Sequence, residues 1–515
     1  MWRGIIALAL LFAPVAAKAE WREASSPHFI VYADDTERDI RRFSDQLERY
    51  HNAMAVVTSA QNPPPSPSNR VTVFVVKSVR EIQRLAGNQF VAGFYIPRAG
   101  GSVAFVPQID GSTSQISQSM GILLHEYAHH FLISSSEFPI PRWLGEGSAE
   151  FFSGARFNSD GGLTLGMPMR DNYLQIAYAL DVDVDELVDP ELYEKNGQFG
   201  RDAFYGKSWA LYHYLTFDPE RRGQLASYIR SMASGKTSRA AAIEAFGDLD
   251  KLNRDLDQYL RRTRVLTLVF RPDQLRSEPV AVRQLSAGEA AILPVKIRSR
   301  RGVDRNEADQ LVVQAREIAA RYPGDAAVLT ALAEAEYDSG HDAEAIAAAD
   351  AALALDPAQV NAYVQKGYAL FRQAQDAEDK GAAYRAAMAP FVALNRIEND
   401  HPLPLLYYFL SFAGRGAEPP EQAILGLERA VELAPFDLQL RMVLATQQIH
   451  RGELQRARAN LVPIAYNPHS TGNETDPVRR VIERIDAGGD PAAEELLALL
   501  SPSAGKNAEA SDGGG

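Results

Sequence analysis

"GILLHEYAHH", residues 121–130, places three histidines in a stretch of helical pattern. Leu124, Ala128 and Leu132 recur at the spacing of one helix face and predict a helix held against a core. His125 and His129 are four residues apart, so on a helix their side chains stand on one face, one turn apart. Two imidazoles so placed can bind one Zn2+, and Glu126, next to the first, can reach a water molecule at such an ion. His130 points about 100° away from His129 on an ideal helix and falls outside the pair. Ser112, followed by Gln115, can cap the start of the helix. By average residue usage this five-residue pattern arises by chance in roughly one chain in a hundred of this length, so it needs a third ligand.

"PRWLGEGSAEFF", residues 141–152, offers one. Pro141 suits the first turn of a new helix, and Glu146 lies seventeen residues after His129. Glu150 falls one turn after Glu146. An acidic pair at i and i+4 on a half-buried helix is costly unless a charge compensates it, and Zn2+ is such a charge. The alternative is a solvated acidic face; Trp143, Leu144, Phe151 and Phe152 surround the pair. Metal-bound histidines give their second N–H to a carboxylate or carbonyl, a role open to Glu150.

Outward from these helices, residues 20–265 read as one mixed α+β domain. "HFIVYAD" (28–34) and "RVTVFVVK" (70–77) are β-branched, aromatic strands. Between them Ile40, Phe43, Leu47 and Tyr50 share one face of a helix over 36–57. "AGFYIPRAGGSVAFVP" (92–107) predicts a hairpin turning near Ala99-Gly100-Gly101. Residues 266–302 form a connector in which "VLTLVF" and "AAILPVKIRS" read as short strands.

Beyond residue 303 the chain turns to Ala-rich helices. Pro323, Pro357, Pro402, Pro435 and Pro468 are spaced by 34, 45, 33 and 33 residues. A period near 34 is the signature of tetratricopeptide repeats, with a generic helical bundle as the alternative. Ala345 and Ala352, and Ala423 and Ala430, lie seven apart before a proline, where small residues let paired helices approach closely. The repeat ending at Pro402 carries about eleven extra residues, and the one ending at Pro468 matches poorly. The repeat region is assigned to 303–487, followed by a terminal helix and a disordered tail over 488–515.

With 515 residues the chain is too long for one typical domain, and its 46% apolar content is ordinary for a globular protein. A net charge of −13 argues against nucleic-acid binding. Residues 1–19 have the form of a signal peptide: Arg3, an apolar run broken by Pro14, and an Ala17-Lys18-Ala19 cleavage pattern. An uncleaved membrane anchor is the alternative, but the run is too short to span comfortably. There is no cysteine, hence no disulfide and no S-linked lipid anchor. The expectation is an exported, periplasmic or secreted protein without a stable membrane anchor.

HExxH followed by W-L-x-E-G-x-A-E resembles the gluzincin metallopeptidases, specifically the peptidase MA-like branch related to aminopeptidase N. The resemblance covers about residues 70–215. It implies an α+β zincin-like metallopeptidase domain, here followed by an all-α tetratricopeptide-repeat solenoid. It also implies one Zn2+ per chain held by His125, His129 and Glu146, with Glu126 as general base. "YGKSWALYHYL" (205–215) resembles the family's Y-x-K-G segment, with Ser208 in place of the glycine; the match makes Tyr205 the donor to the tetrahedral intermediate. The G-x-M-E-N segment that grips a free amine has no glutamate here, where the chain reads "GGSVAFVPQ". Endopeptidase action on a peptide or protein substrate is the function the resemblance implies, with the repeats recruiting substrate or a protein partner. The competing reading is a repeat-based binding or scaffold protein whose metallopeptidase-like domain has little or no activity.

Overall fold

The computed structural model describes residues 20–60, 63–109, 117–136, 140–196, 201–467, 472–489 and 491–500. The signal-like segment 1–19, the Ser112/Gln115 cap and the tail beyond residue 500 lie outside the described residues.

The chain opens with β1 (Trp21–Ser25) and β2 (Phe29–Asp34), the long helix α1 (Glu37–Thr58), β3 (Val71–Val76), the short α2 (Val79–Ala86), and a hairpin of β4 (Phe94–Ile96) and β5 (Val103–Pro107). Helices α3 (Gln118–Ser135) and α4 (Arg142–Ser153) follow, then β6 (Arg156–Phe157) and β7 (Leu163–Leu165). Next come α5 (Arg170–Tyr178), α6 (Val184–Val188), α7 (Pro190–Asn196), α8 (Phe204–Phe217), α9 (Gln224–Ala233), α10 (Ser238–Phe246) and α11 (Leu249–Leu260). Strands β8 (Leu268–Phe270) and β9 (Ala281–Gln284) close this part.

Six strands form one mixed sheet in the order β4-β5-β3-β2-β1-β9. β2 and β5 run parallel to β3; the other pairs are antiparallel. β4 is therefore an edge. The remaining three strands make a small sheet, β6-β7-β8. The main sheet is covered on both faces, which explains the almost unbroken apolar run of β3. Val71, Val73 and Val75 enter the core with α1, α3 and α4, while Phe74 and Val76 face the opposite side with Ile82 of α2.

That second face is also covered by α12 (Ala287–Arg301). The segment 290–299, expected as a strand from Ile292, Leu293, Val295 and Ile297, is helical. Ser286 and Glu289 form a capping box at its start. Its apolar residues split between two cores: Leu293 and Ile297 pack on the sheet, Ile292 and Val295 on the next two helices. That double burial holds Pro294 inside the helix despite the lost hydrogen bond. So α12 is both the cover of the sheet and the first member of the helical part.

From there the chain is an array of antiparallel helices: α13 (Arg305–Arg321), α14 (Ala326–Asp338), α15 (Asp342–Leu355), α16 (Val360–Gln375), α17 (Lys380–Ala387), α18 (Ala389–Ile397), α19 (Pro402–Ala413), α20 (Glu421–Leu433), α21 (Leu438–His450), α22 (Leu454–Ala465), α23 (Gly472–Asp486) and α24 (Ala493–Leu500). The pairs α14/α15, α19/α20 and α21/α22 are hairpins between successive prolines. In the long repeat the second helix is divided into α17 and α18, which accommodates the extra residues. Ala345, Ala352, Ala423 and Ala430 are fully buried where hairpin helices meet. Among the described residues no helix is long and apolar enough to cross a membrane.

The array packs back on the α+β part. The Ala99 N–H donates to Asp437 Oδ2 at 2.7 Å, and Ser68 donates its N–H and Oγ–H to Glu398 at 2.9 and 2.8 Å. Ala99, at the tip of the β4–β5 hairpin, is buried in the array's own core beside Val364 and Leu403.

Candidate metal centre and the cavity beside it

α3 is fixed before any ligand is considered. Ser117 caps it by accepting from the Met120 N–H at 3.2 Å. Tyr50 of α1 donates to the Leu124 carbonyl at 2.9 Å, and His51 shares a hydrogen bond of 2.8 Å with Tyr127. These buried bonds tie α3 to α1 and turn His125 and His129 toward α4.

The three ring and carboxylate atoms meet in a triangle. His125 Nε2 and His129 Nε2 are 3.1 Å apart, and each stands 3.4 Å from Glu146 Oε2. Ligands at about 2.0–2.1 Å from a tetrahedral zinc ion are separated by about 3.3–3.4 Å, so the triangle fits one such ion. Glu146 is 1% exposed, and neither of its oxygens has a hydrogen-bond partner. A buried carboxylate with no donor is costly unless a cation supplies the missing interaction. Among the described residues these three form the group able to hold a metal ion. The donor set and the orphaned carboxylate therefore fit zinc, and the solvated-face alternative for Glu146 is excluded by its burial.

The electrostatics agree. Burial raises the Glu146 carboxyl, but the two imidazoles outweigh it and hold the group well below its ordinary range. Burial lowers His125, yet Glu146, Glu150 and Glu126 more than compensate and hold it up at about 9. Without metal, a proton takes the place of the cation.

Glu150 stands where a carboxylate partner for a ligating histidine was expected. Its Oε1 is 3.4 Å from His125 Nδ1, and its Oε2 accepts from Asn172 Nδ2 at 2.8 Å. Asn172 Oδ1 in turn accepts from the Met169 N–H at 2.9 Å. The chain of bonds fixes the amide's orientation and directs His125 Nε2 toward the triangle.

Gly147 brings α4 against α8. A Cβ there would lie 2.3 Å from the Ser208 carbonyl oxygen, so only glycine allows this approach. Ser208, where the resembled family has glycine, is fully buried at this contact, and Lys207 pairs with Asp257 at 2.9 Å away from the ligands. Tyr205, one turn of helix earlier, is half-buried, with the Arg142 guanidinium carbon 6.0 Å from its ring centroid; burial and the nearby Glu146 charge raise its phenol. The structure thus places Tyr205 beside Arg142, near the candidate ligands. Arg142 was not anticipated, although its position four residues before Glu146 puts it on the same helix face.

A cavity of about 430 Å3 opens on the site. Glu126, His129, Glu146 and Arg142 line one side together with Gly93, Phe94 and Tyr95 at the sheet edge. His130, outside the ligand set, shares a 2.6 Å hydrogen bond with Tyr95 and packs on Phe436 with ring centroids 4.4 Å apart. The opposite wall comes from the helical array: Phe436, Leu438, Arg441, Val462 and Tyr466. Nothing local in the sequence links these residues to the motif helix some 300 positions earlier.

No family model matches the chain, and no curated protein matches it. Among solved structures it is similar to a thermophilic TPR protein from Thermus thermophilus, 17% identical over 38% of this chain and 98% of that one, with a TM-score of 0.33. It is also similar to a double mutant of MamA RS-1, 19% identical over 39% of this chain and 98% of that one, with a TM-score of 0.26. The hairpin array stands on its own packing. None of these comparisons supports the gluzincin resemblance, so the candidate metal centre rests on its geometry alone.

Proposed function

We propose that this protein is a zinc-dependent hydrolase acting on peptide bonds, with His125, His129 and Glu146 as the residues that would hold one zinc ion. The observation that carries the reading is the triangle of ligand atoms at 3.1–3.4 Å around a buried carboxylate without a hydrogen bond. A zinc ion bound there supplies Lewis acidity and lowers the pKa of water to near neutrality. Glu126, in the cavity wall next to His125, is the general base: it takes a proton from the attacking water and passes it to the leaving amine. Arg142 and Tyr205 supply donors on the flank where negative charge develops on the carbonyl oxygen. Glu150 and Asn172 hold His125 in the tautomer that leaves Nε2 free. The outer edge of β4 lines the cavity and offers backbone groups to an extended peptide.

Zinc content of the purified full chain tests the site, and hydrolysis of casein tests the activity. The expected results are about one zinc per chain, lost in Glu146→Ala, and hydrolysis abolished in Glu126→Gln with zinc retained. Absence of zinc after reconstitution would refute the reading.

A second reading has an observation of its own. Leu355, Ile397 and Leu425, on second helices of the hairpins, are about half exposed, while first helices α14, α16, α19 and α21 turn toward the α+β part. Such an outer face suits a protein partner, with the array as a binding scaffold and the metal site structural. Zinc bound normally, with casein untouched by wild type and Glu126→Gln alike, decides for it.

A further inference from the structure

The cavity holds a cation that the proposed chemistry does not use. Arg441 lies in the first turn of α21, where the helix dipole already presents its positive end. No described carboxylate lies within ion-pair reach of it. Asp437, one turn earlier, commits Oδ1 to the Leu440 N–H at 3.0 Å and Oδ2 to the Ala99 N–H at 2.7 Å. The guanidinium is instead aimed by two neutral acceptors: Nε donates to the Pro435 carbonyl, and Nη1 donates to Asn460 Oδ1 at 3.2 Å. Asn460 is itself held by Gln448 Oε1 at 3.0 Å. Nη2 has no partner among the described residues, and the rest of that wall is mostly apolar, with Phe436, Leu438 and Tyr466 beside Asn467. Burial alone lowers the Arg441 pKa, to about 10, which leaves the group charged at neutral pH. A charge removed from water without a counter-charge is destabilising, and a guanidinium fork is matched geometrically by a carboxylate.

We infer that the helical array forms a substrate subsite in this cavity, in which Arg441 binds a peptide carboxylate and the apolar wall takes the neighbouring side chain. The inference deepens the proposed function and rests on the cavity being the peptide site. The carboxylate is either a free C-terminus or an acidic side chain, two sources of one chemistry. The array is then part of the specificity machinery, and its role is intramolecular.

The test uses the full chain carrying Glu126→Gln, so that probes stay intact, and fluorescence anisotropy. The probes are fluorescein-labelled Gly-Gly-Leu-Phe-Ala-Leu as free acid, the same peptide as C-terminal amide, and the amide with Glu replacing the last Leu. The free acid is expected to bind at least about tenfold tighter than the amide, the scale of one charge-assisted hydrogen bond. The preference should fall to within about twofold in Glu126→Gln/Arg441→Gln and survive in part in Arg441→Lys, which keeps the charge but not the fork. If the Glu-containing amide binds like the acid, the carboxylate can come from a side chain; if like the amide, the site takes a C-terminus. Equal binding of acid and amide, a preference unchanged in Arg441→Gln, or no binding of any probe overturns the inference. Casein hydrolysis by the wild type is scored separately: hydrolysis without carboxylate preference leaves the hydrolase reading standing, and Arg441-dependent binding without hydrolysis does the reverse.

Discussion

Gly147→Ala tests whether the contact of α4 with α8 sets the position of Glu146. The added Cβ would stand 2.3 Å from the Ser208 carbonyl oxygen and 2.7 Å from its carbon. Both atoms belong to backbone and cannot rotate aside. Restoring a normal carbon–oxygen contact of about 3.3 Å requires the helices to part by about 1 Å. Overpacking against so rigid an obstacle costs about 3 kcal/mol, the upper part of the usual range. Alanine offsets about 1 kcal/mol of this, because glycine is a poor residue in a helix interior. The net loss of about 2 kcal/mol lowers Tm by roughly 4–8 °C for a domain of this size. Glu146 precedes the glycine, so the same movement opens the ligand triangle, and zinc affinity should fall at least about tenfold. Gly145→Ala is the internal control: its Cβ would meet Ile140 Cγ2 at 3.6 Å and the His129 ring at 3.9 Å, ordinary contacts. It should melt at or slightly above the wild-type temperature. Thermal melts of the metal-free chains and zinc competition against a chelator measure both effects. A Gly147→Ala chain that melts and binds zinc like wild type would show that this contact does not position Glu146, as would equal losses in the two variants.

Three further outcomes follow from other contacts. Glu150→Gln removes the charge facing His125 Nδ1 and should weaken zinc about 10–100-fold with little change in fold, measured by chelator competition and circular dichroism. His125 is held at about 9 in the metal-free site, so below that pH zinc must displace a proton. Apparent zinc affinity should then rise about tenfold per pH unit between pH 6 and 8 and flatten above about 9; a flat profile over that window would contradict the assignment. The sign for the metal-free fold is opposite: a histidine raised from 6.5 stabilises fully below 6.5 and ceases to do so as pH rises through about 9. Asp437→Ala removes the α21 cap and the bond to Ala99, and should cost about 2 kcal/mol, seen as faster proteolysis of the array at unchanged zinc content.

The parts legible in the sequence are those whose pattern is set within a few residues. β3 could be read because a strand buried on both faces needs apolar residues at consecutive positions. The candidate ligands His125 and His129 could be read because one helix turn separates them. Glu146 could be read because its own helix follows directly. The spacing of the prolines marks the hairpins because Pro357 and Pro435 directly follow second helices and Pro402 opens a first one. α12 shows where local pattern misleads: Ile292, Val295, Ile297 and Pro294 argue for an extended segment. The helix nonetheless forms, because two cores claim opposite sides of it; the local signal for it was the Ser286/Glu289 pair. The cavity's far wall has no local signal at all. Ala99 enters the array because it is small and sits at a hairpin tip, and Phe436 and Arg441 face Glu126 only because of that docking. A residue such as Arg441 reads in sequence as one more exposed charge on a repeat helix. Its meaning comes from what is missing around it, a carboxylate, and that can be seen only once both halves of the chain are in place.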